Sequence, residues 1–135
     1  MMKLIAAYLT TAVVMIVIDL VWLGVLAKPL YQQGIGHLMT DRPNMLAAVA
    51  FYLLFPVGLM VFAITPQEAV QGWQKSAWLG AMFGFFAYAT YDLTNLATLK
   101  NYPLSLALID MSWGTLVSAT AACAGKLVFD RFADA

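Results

Sequence analysis

Residues 4–27 read LIAAYLTTAVVMIVIDLVWLGVLA, a run of 24 residues with one charge, Asp19. A helix rises about 1.5 Å per residue, so ~20 apolar residues cross a hydrocarbon core ~30 Å thick. The run therefore reads as a membrane span. A cleaved secretory leader is the competing reading, because Lys3 precedes the run and Val25-Leu26-Ala27 resembles a cleavage site. Leader cores run to about 7–15 residues; this stretch is longer and contains an acid, so it is expected to be retained.

Three further windows have the same character. Residues 45–64 carry no charge, residues 76–99 carry only Asp92, and residues 103–125 carry only Asp110. Across the 135 residues, 63 % are hydrophobic and 10 % charged, against about 45–50 % and about 25 % in soluble domains. Seven basic residues balance seven acidic ones, so no basic surplus exists to hold a nucleic acid. Cys123 is the only cysteine, which excludes an intramolecular disulfide and a cysteine-based zinc site. The windows lack the strict alternation of barrel strands. The expected fold is all-α: an integral membrane four-helix bundle, one transmembrane domain over residues 1–135. Its connections are short except for a longer, part-helical loop over 28–44.

Boundary signals support these spans. Lys28-Pro29 ends the first. Thr40 or Asp41 is placed to cap the second, with Pro43 in its first turn. Pro56 lies inside the second and is expected to kink it or be absorbed by packing. Thr65-Pro66-Gln67-Glu68 has the form of a capping box, with Trp73 and Trp78 suited to an interfacial belt beyond it. Lys100-Asn101-Tyr102-Pro103 makes the third and fourth spans an antiparallel hairpin. Within 28–44, Tyr31, Ile35, Leu38 and Met39 share a helical stripe that Gly34 and Gly36 weaken. Gly80-x-x-x-Gly84 and the Gly114, Ser118, Ala122 stripe suit close helix packing, within the chain or between copies. Lys3, Lys75, Lys126 and Arg131 fall on one side, and Lys28, Arg42 and Lys100 on the other. The positive-inside rule then puts the termini in the cytoplasm.

The chemistry lies in the charges that the spans do carry. Asp19 is nine residues before Lys28, Asp92 eight before Lys100 and Asp110 ten after it. Each therefore sits roughly 12–15 Å from the same membrane face. Asp19-x-x-Trp22, Asp92-x-x-Asn95 and Asp110-x-x-Trp113 each place a hydrogen-bond donor on the acid's helix face. Tyr88 and Tyr91 add hydroxyls near Asp92. All seven Lys and Arg lie outside the four windows, so no salt bridge within a span is expected. A carboxylate in lipid must be protonated, hydrogen-bonded, hydrated or matched by a cation. Asp19, Trp22, Tyr88, Tyr91, Asp92, Asn95, Asp110 and Trp113 are thus the candidate proton- or substrate-binding set. Tyr31 and His37 are the loop residues placed to close it. The bland alternative is that these groups are interhelical glue. One histidine among scattered acids is a weak metal signature, so no metal is expected. No cofactor fingerprint is present.

Asp19-x-x-Trp22, Lys28-Pro29-Leu30-Tyr31, Tyr91-Asp92-Leu93-Thr94-Asn95 and Asp110-x-x-Trp113-Gly114 together resemble a bacterial family of four-span membrane proteins, domain of unknown function 2177. The resemblance runs over nearly the whole chain. It implies an integral membrane protein and brings no activity with it; the expected location is the bacterial cytoplasmic membrane. Three functions fit the residues themselves. The first is transport of protons, a cation or a small solute, in a unit small enough to work as a homo-oligomer. The second is a membrane-embedded enzyme acting on a lipid or isoprenoid through the same carboxylates. The third is a non-catalytic binder of lipid or pigment, or an accessory subunit.

Overall fold

The computed structural model describes residues 1–66 and 72–133, and all its regular structure is helical. Helix α1 runs Met2–Val21 and continues as a π-helical turn, Trp22–Leu26, closed by the Ala27 N–H donating to the Trp22 carbonyl at 2.7 Å. Short helix α2, Lys28–Ile35, follows at once, with Pro29 in its first turn where a missing N–H costs nothing. A 3₁₀ turn, Gly36–Leu38, leads to the extended stretch before α3, Met45–Leu59, which ends in a second π turn, Met60–Ile64. Helices α4, Trp73–Thr98, and α5, Leu104–Ala133, complete the bundle. The all-α, membrane-type fold is as expected.

Among the described residues three helices are long and apolar enough to cross a membrane: Met2–Leu26, Met45–Ile64 and Leu104–Ala133. Helix α4 has the length, at 26 residues or roughly 39 Å. Its Trp, Tyr, Thr and Gly residues leave it short of the same apolarity. Its position comes from packing instead. It lies along α5 as the other arm of a hairpin, and α5 is the central helix, packed also against α1, α2 and the π turn after α3.

The α4–α5 contact is close because its residues are small. A Cβ on Gly80 would meet the Ser118 carbonyl oxygen at 2.8 Å, and one on Gly84 would meet the Gly114 carbonyl oxygen at 2.3 Å. The small-residue stripes thus pack inside this chain. Around them the core gathers Met15, Leu59, Ile64, Val117 and Ala121, all almost fully buried. A second cluster, Tyr102, Leu106 and Ala107, is covered by Leu30, Tyr31 and Ile35 of α2. Gly34 lies 3.1 Å from Leu106 by its missing Cβ, so the residue expected to weaken α2 is what lets it lie down on α5.

Several local expectations are corrected. The cap of α3 is Asn44, whose side chain accepts from the Ala47 N–H at 3.1 Å; Thr40 instead accepts from the Arg42 N–H, at 3.3 Å. The helical stripe is cut short, because α2 ends at Ile35 and leaves Leu38 in the 3₁₀ turn and Met39 in extended chain, both exposed. Helix α5 continues to Ala133, and within it Lys126 is fully buried and pairs with Asp130 at 2.7 Å. A basic residue therefore does pair inside a long helix, because the helix runs on past the apolar window that was read as its limit. Pro56 stays inside α3. It deprives the Tyr52 carbonyl of its usual donor, and Tyr8 of α1 donates to the next carbonyl, Leu53, at 2.9 Å. Gln67 and Glu68 of the capping box lie outside the described residues. Thr65, its first member, closes the second π turn through its N–H.

Candidate functional site

The three aspartates come from three different helices and meet at the α2 end of the bundle. Asp19, Asp92 and Asp110 are 3 %, 0 % and 8 % exposed. Each carboxylate has its own donors. Asp19 is held from two sides: Trp113 Nε1 donates to one oxygen at 2.7 Å and the Tyr52 hydroxyl to the other at 3.0 Å. The Tyr31 hydroxyl donates to Asp110 Oδ1, and Trp22 Nε1 donates in turn to the Tyr31 oxygen at 3.3 Å. The Tyr102 hydroxyl donates to Asp92 Oδ1 at 2.9 Å. Charge-assisted bonds of this kind are roughly twice as strong as neutral ones.

The second oxygen of Asp92 is different. It is buried without a hydrogen-bond partner, and the Asp92 and Asp110 carboxyls lie within hydrogen-bonding range of each other, acceptor facing acceptor. Among the described residues no donor reaches that second oxygen, although buried polar atoms are nearly always satisfied.

Local structure explains how the donors arrive. The π turn at Trp22–Leu26 widens α1 where Trp22 stacks flat on Trp113, ring centroids 4.3 Å apart and planes 7° apart. That stack places the Trp113 N–H on Asp19 and the Trp22 N–H on the Tyr31 oxygen, whose hydroxyl donates to Asp110. Asn101 adopts φ 60° in the α4–α5 turn, a left-handed conformation that asparagine tolerates. The turn directs Tyr102 back onto Asp92. The Gly114 backbone abuts the Tyr88 ring, where a Cβ would come within 2.1 Å. Tyr88 is thereby fixed between α3 and α5.

Asp19 and Asp110 line a cavity of about 580 Å³ bounded by α1, α2, α3, α4 and α5. Its walls are aromatic and apolar, with Phe51, Tyr52 and Phe55 on one side and Tyr88, Tyr91 and Trp113 on the others. Among the described residues no Lys or Arg lines it. Burial first, then the bond to Asp110, raises the Tyr31 hydroxyl above the ordinary tyrosine range. Burial and Asp92 do the same for Tyr102. Both hydroxyls therefore remain donors at any working pH.

Of the residues expected at the site, Asp19, Tyr31, Tyr88, Tyr91, Asp110 and Trp113 line the cavity. Asp92 lies behind the wall, against Asp110. Trp22 is reached through Tyr31. Asn95 neighbours the Tyr91 and Tyr102 hydroxyls rather than serving as the donor to Asp92. His37 is exposed in the 3₁₀ turn and is not among the lining residues. Two donors were missed, Tyr52 and Tyr102. A depth count would have found Tyr52, which lies ten residues past Arg42 and so level with the acids. Tyr102 sits in a turn, and nothing in its sequence position signals an inward side chain. Among the described residues no group of three or more His, Cys, Asp or Glu is arranged to hold a metal.

A helical bundle with apolar spans and buried, donor-held acids is an integral membrane protein. The chain belongs to the family described as Predicted membrane protein (DUF2177), which matches residues 4–127. No curated protein and no solved structure matches it.

Proposed function

We propose that the protein is a four-span carrier of the bacterial cytoplasmic membrane that moves a small solute through the acid-lined cavity in exchange for protons. What supports this reading is that Asp19 and Asp110 line a cavity without any basic residue on its walls. Intramembrane acids so placed mark ion and proton paths more often than structural roles. The donors divide the acids by task. Asp19 has both oxygens engaged, by an indole and a phenol. Asp92 and Asp110 are set to hold one proton between them, since that proton would supply the donor that Asp92 lacks. A proton-coupled carrier needs such a loadable site.

In this reading α4 crosses the membrane with α5, the whole chain forms one transmembrane domain, and the side bearing Lys3, Lys75, Lys126 and Arg131 is cytoplasmic. A unit this small would work as a homo-oligomer. One observation favours a second reading. Facing carboxylates that share a proton also suit general acid–base chemistry on a lipid or isoprenoid.

The test is solute-driven proton movement in liposomes, screened over small solutes. At least one solute is expected to move protons with the wild type and none with Asp92→Asn. Equal flux from the variant, or no active solute at all, would overturn the carrier. Turnover of a lipid without solute flux would establish the enzyme instead.

A further inference from the structure

We infer that the solute is a lipophilic organic monocation, and that it enters the cavity sideways from the bilayer between α3 and α4. This inference rests on the carrier reading for its purpose, but the binding site can be tested without it.

The walls select the charge. Face-on aromatic rings attract cations, and the cavity combines Tyr52, Phe55 and Tyr88 with the carboxylates of Asp19 and Asp110. An anion would meet two acids and no base. Asp92 adds a third acid, fully buried, with one oxygen unpartnered, and its carboxyl lies against the Asp110 carboxyl that lines the cavity. The cluster is therefore short of positive charge or protons, not merely rich in acid.

The walls also reject a small metal ion. Hard cations take six or more oxygen ligands in a compact shell. Here both oxygens of Asp19 and one of Asp110 are already engaged by Trp113, Tyr52 and Tyr31. The space is far larger than one ion, at about 580 Å³, within the range of sites for small organic ligands. A weakly hydrated cation with apolar bulk matches both the volume and the lining.

The entrance follows from helix packing. Helix α3 meets α4 at Phe55, whose ring lies 5.2 Å from Phe83, and where Gly58 abuts that same Phe83. Beyond that point, toward Met45, the two backbones do not approach closely. Ala47 and Ala48 of α3 and Ala87 of α4 line the gap. Phe51 and Tyr91 stand at its edges, 40 % and 54 % exposed. In a membrane this gap faces lipid, where a lipophilic cation concentrates.

Binding is linked to protons. The titratable groups around the cavity are Asp19 from α1, Tyr31 from α2, Tyr52 from α3, Tyr88, Tyr91 and Asp92 from α4, Tyr102 from the turn and Asp110 from α5. None is a base. A bound cation replaces the proton shared by Asp92 and Asp110, which leaves to water, and the charge of the site is unchanged.

The experiment compares two ions of one shape and opposite charge, tetraphenylphosphonium and tetraphenylborate, by equilibrium dialysis against the protein in phosphatidylcholine nanodiscs, with empty discs subtracted. Tetraphenylphosphonium is expected to bind saturably at one site and at least about tenfold more tightly than tetraphenylborate, a margin of about 1.4 kcal/mol. Its affinity should rise with pH by up to about tenfold per unit, the limit for one displaced proton. Asp110→Asn should abolish the pH dependence. Ala48→Trp should block the entrance and binding with all three acids intact, which keeps the test decisive if the acid variant does not fold. Equal binding of the two ions, or tetraphenylphosphonium binding unchanged in Ala48→Trp, would overturn the inference. Cation binding without proton flux in liposomes supports this site while refuting the carrier.

Discussion

The two ends of the α4–α5 hairpin are packed by opposite means. At the end away from α2, Gly80 and Gly84 bring α4 against Ser118 and Ala122 with backbone nearly touching backbone. At the α2 end, large aromatic and acidic side chains make the contacts, and a cavity opens beside them. Helices in lipid gain no hydrophobic drive from meeting each other, so close van der Waals packing must hold them together. One end of this molecule spends its contacts on that packing. The other end is left to carry buried acids that add little to stability, since interhelical hydrogen bonds in membranes average under ~1 kcal/mol. The contrast teaches that the acids are supported by the packed end rather than supporting the fold.

The largest effect expected from this contrast is functional and belongs to the open end. Asp110→Asn keeps an oxygen to accept from Tyr31 but cannot hold an exchangeable proton. Solute-driven proton flux should fall by about a hundredfold or more with thermal stability in detergent unchanged. A matching loss of stability would show that Asp110 is structural glue and would dissolve the contrast.

At the packed end the effect should be on stability alone. A Cβ on Gly84 meets backbone, which cannot move aside. Gly84→Ala should cost about 3 kcal/mol, at the upper end for overpacking, read by reversible unfolding in mixed micelles.

Tyr102→Phe probes the junction. It strips Asp92 of its one donor and should cost about 1–3 kcal/mol, the usual effect of an orphaned buried acceptor. Combining it with Asp92→Leu should recover most of that loss, because no orphan remains. Failure of the double variant to recover would show that Tyr102 acts through its packing on Leu106 and α2.

The smallest effect is the control. Gly24 lies in the π turn with open space around its missing Cβ. Gly24→Ala should stay within about 0.5 kcal/mol. If Gly84→Ala proves as mild, the close approach of α4 and α5 is not what stabilises that end.

Much of the site was legible because depth in a membrane is counted along the chain. Asp19, Asp92 and Asp110 could be placed level from their distance to Lys28 and Lys100, and the i, i+3 spacing put Trp113 on the face of Asp110. The partners were less legible. Trp113 donates to Asp19 on another helix rather than to the acid on its own face, since an i, i+3 neighbour lies beside an acid while a facing helix lies in front of it. Asn95 was expected beside Asp92, and the turn tyrosine Tyr102 took that place instead.

The sequence by itself determined the class of protein, the α4–α5 hairpin and four apolar windows, of which three are long and apolar enough as helices to cross a membrane, and it set the acids level by residue count. These depend on composition and on a rise per residue that is the same in every helix. Only the tertiary structure decided that Asp92 is sealed behind Asp110, that Tyr31 of α2 reaches in while His37 does not, and that α3 leans away to leave a cavity. Those outcomes depend on the rotation of each helix about its axis and on where two side chains first collide. Such contacts join residues as far apart as Asp19 and Trp113, and no local spacing encodes them.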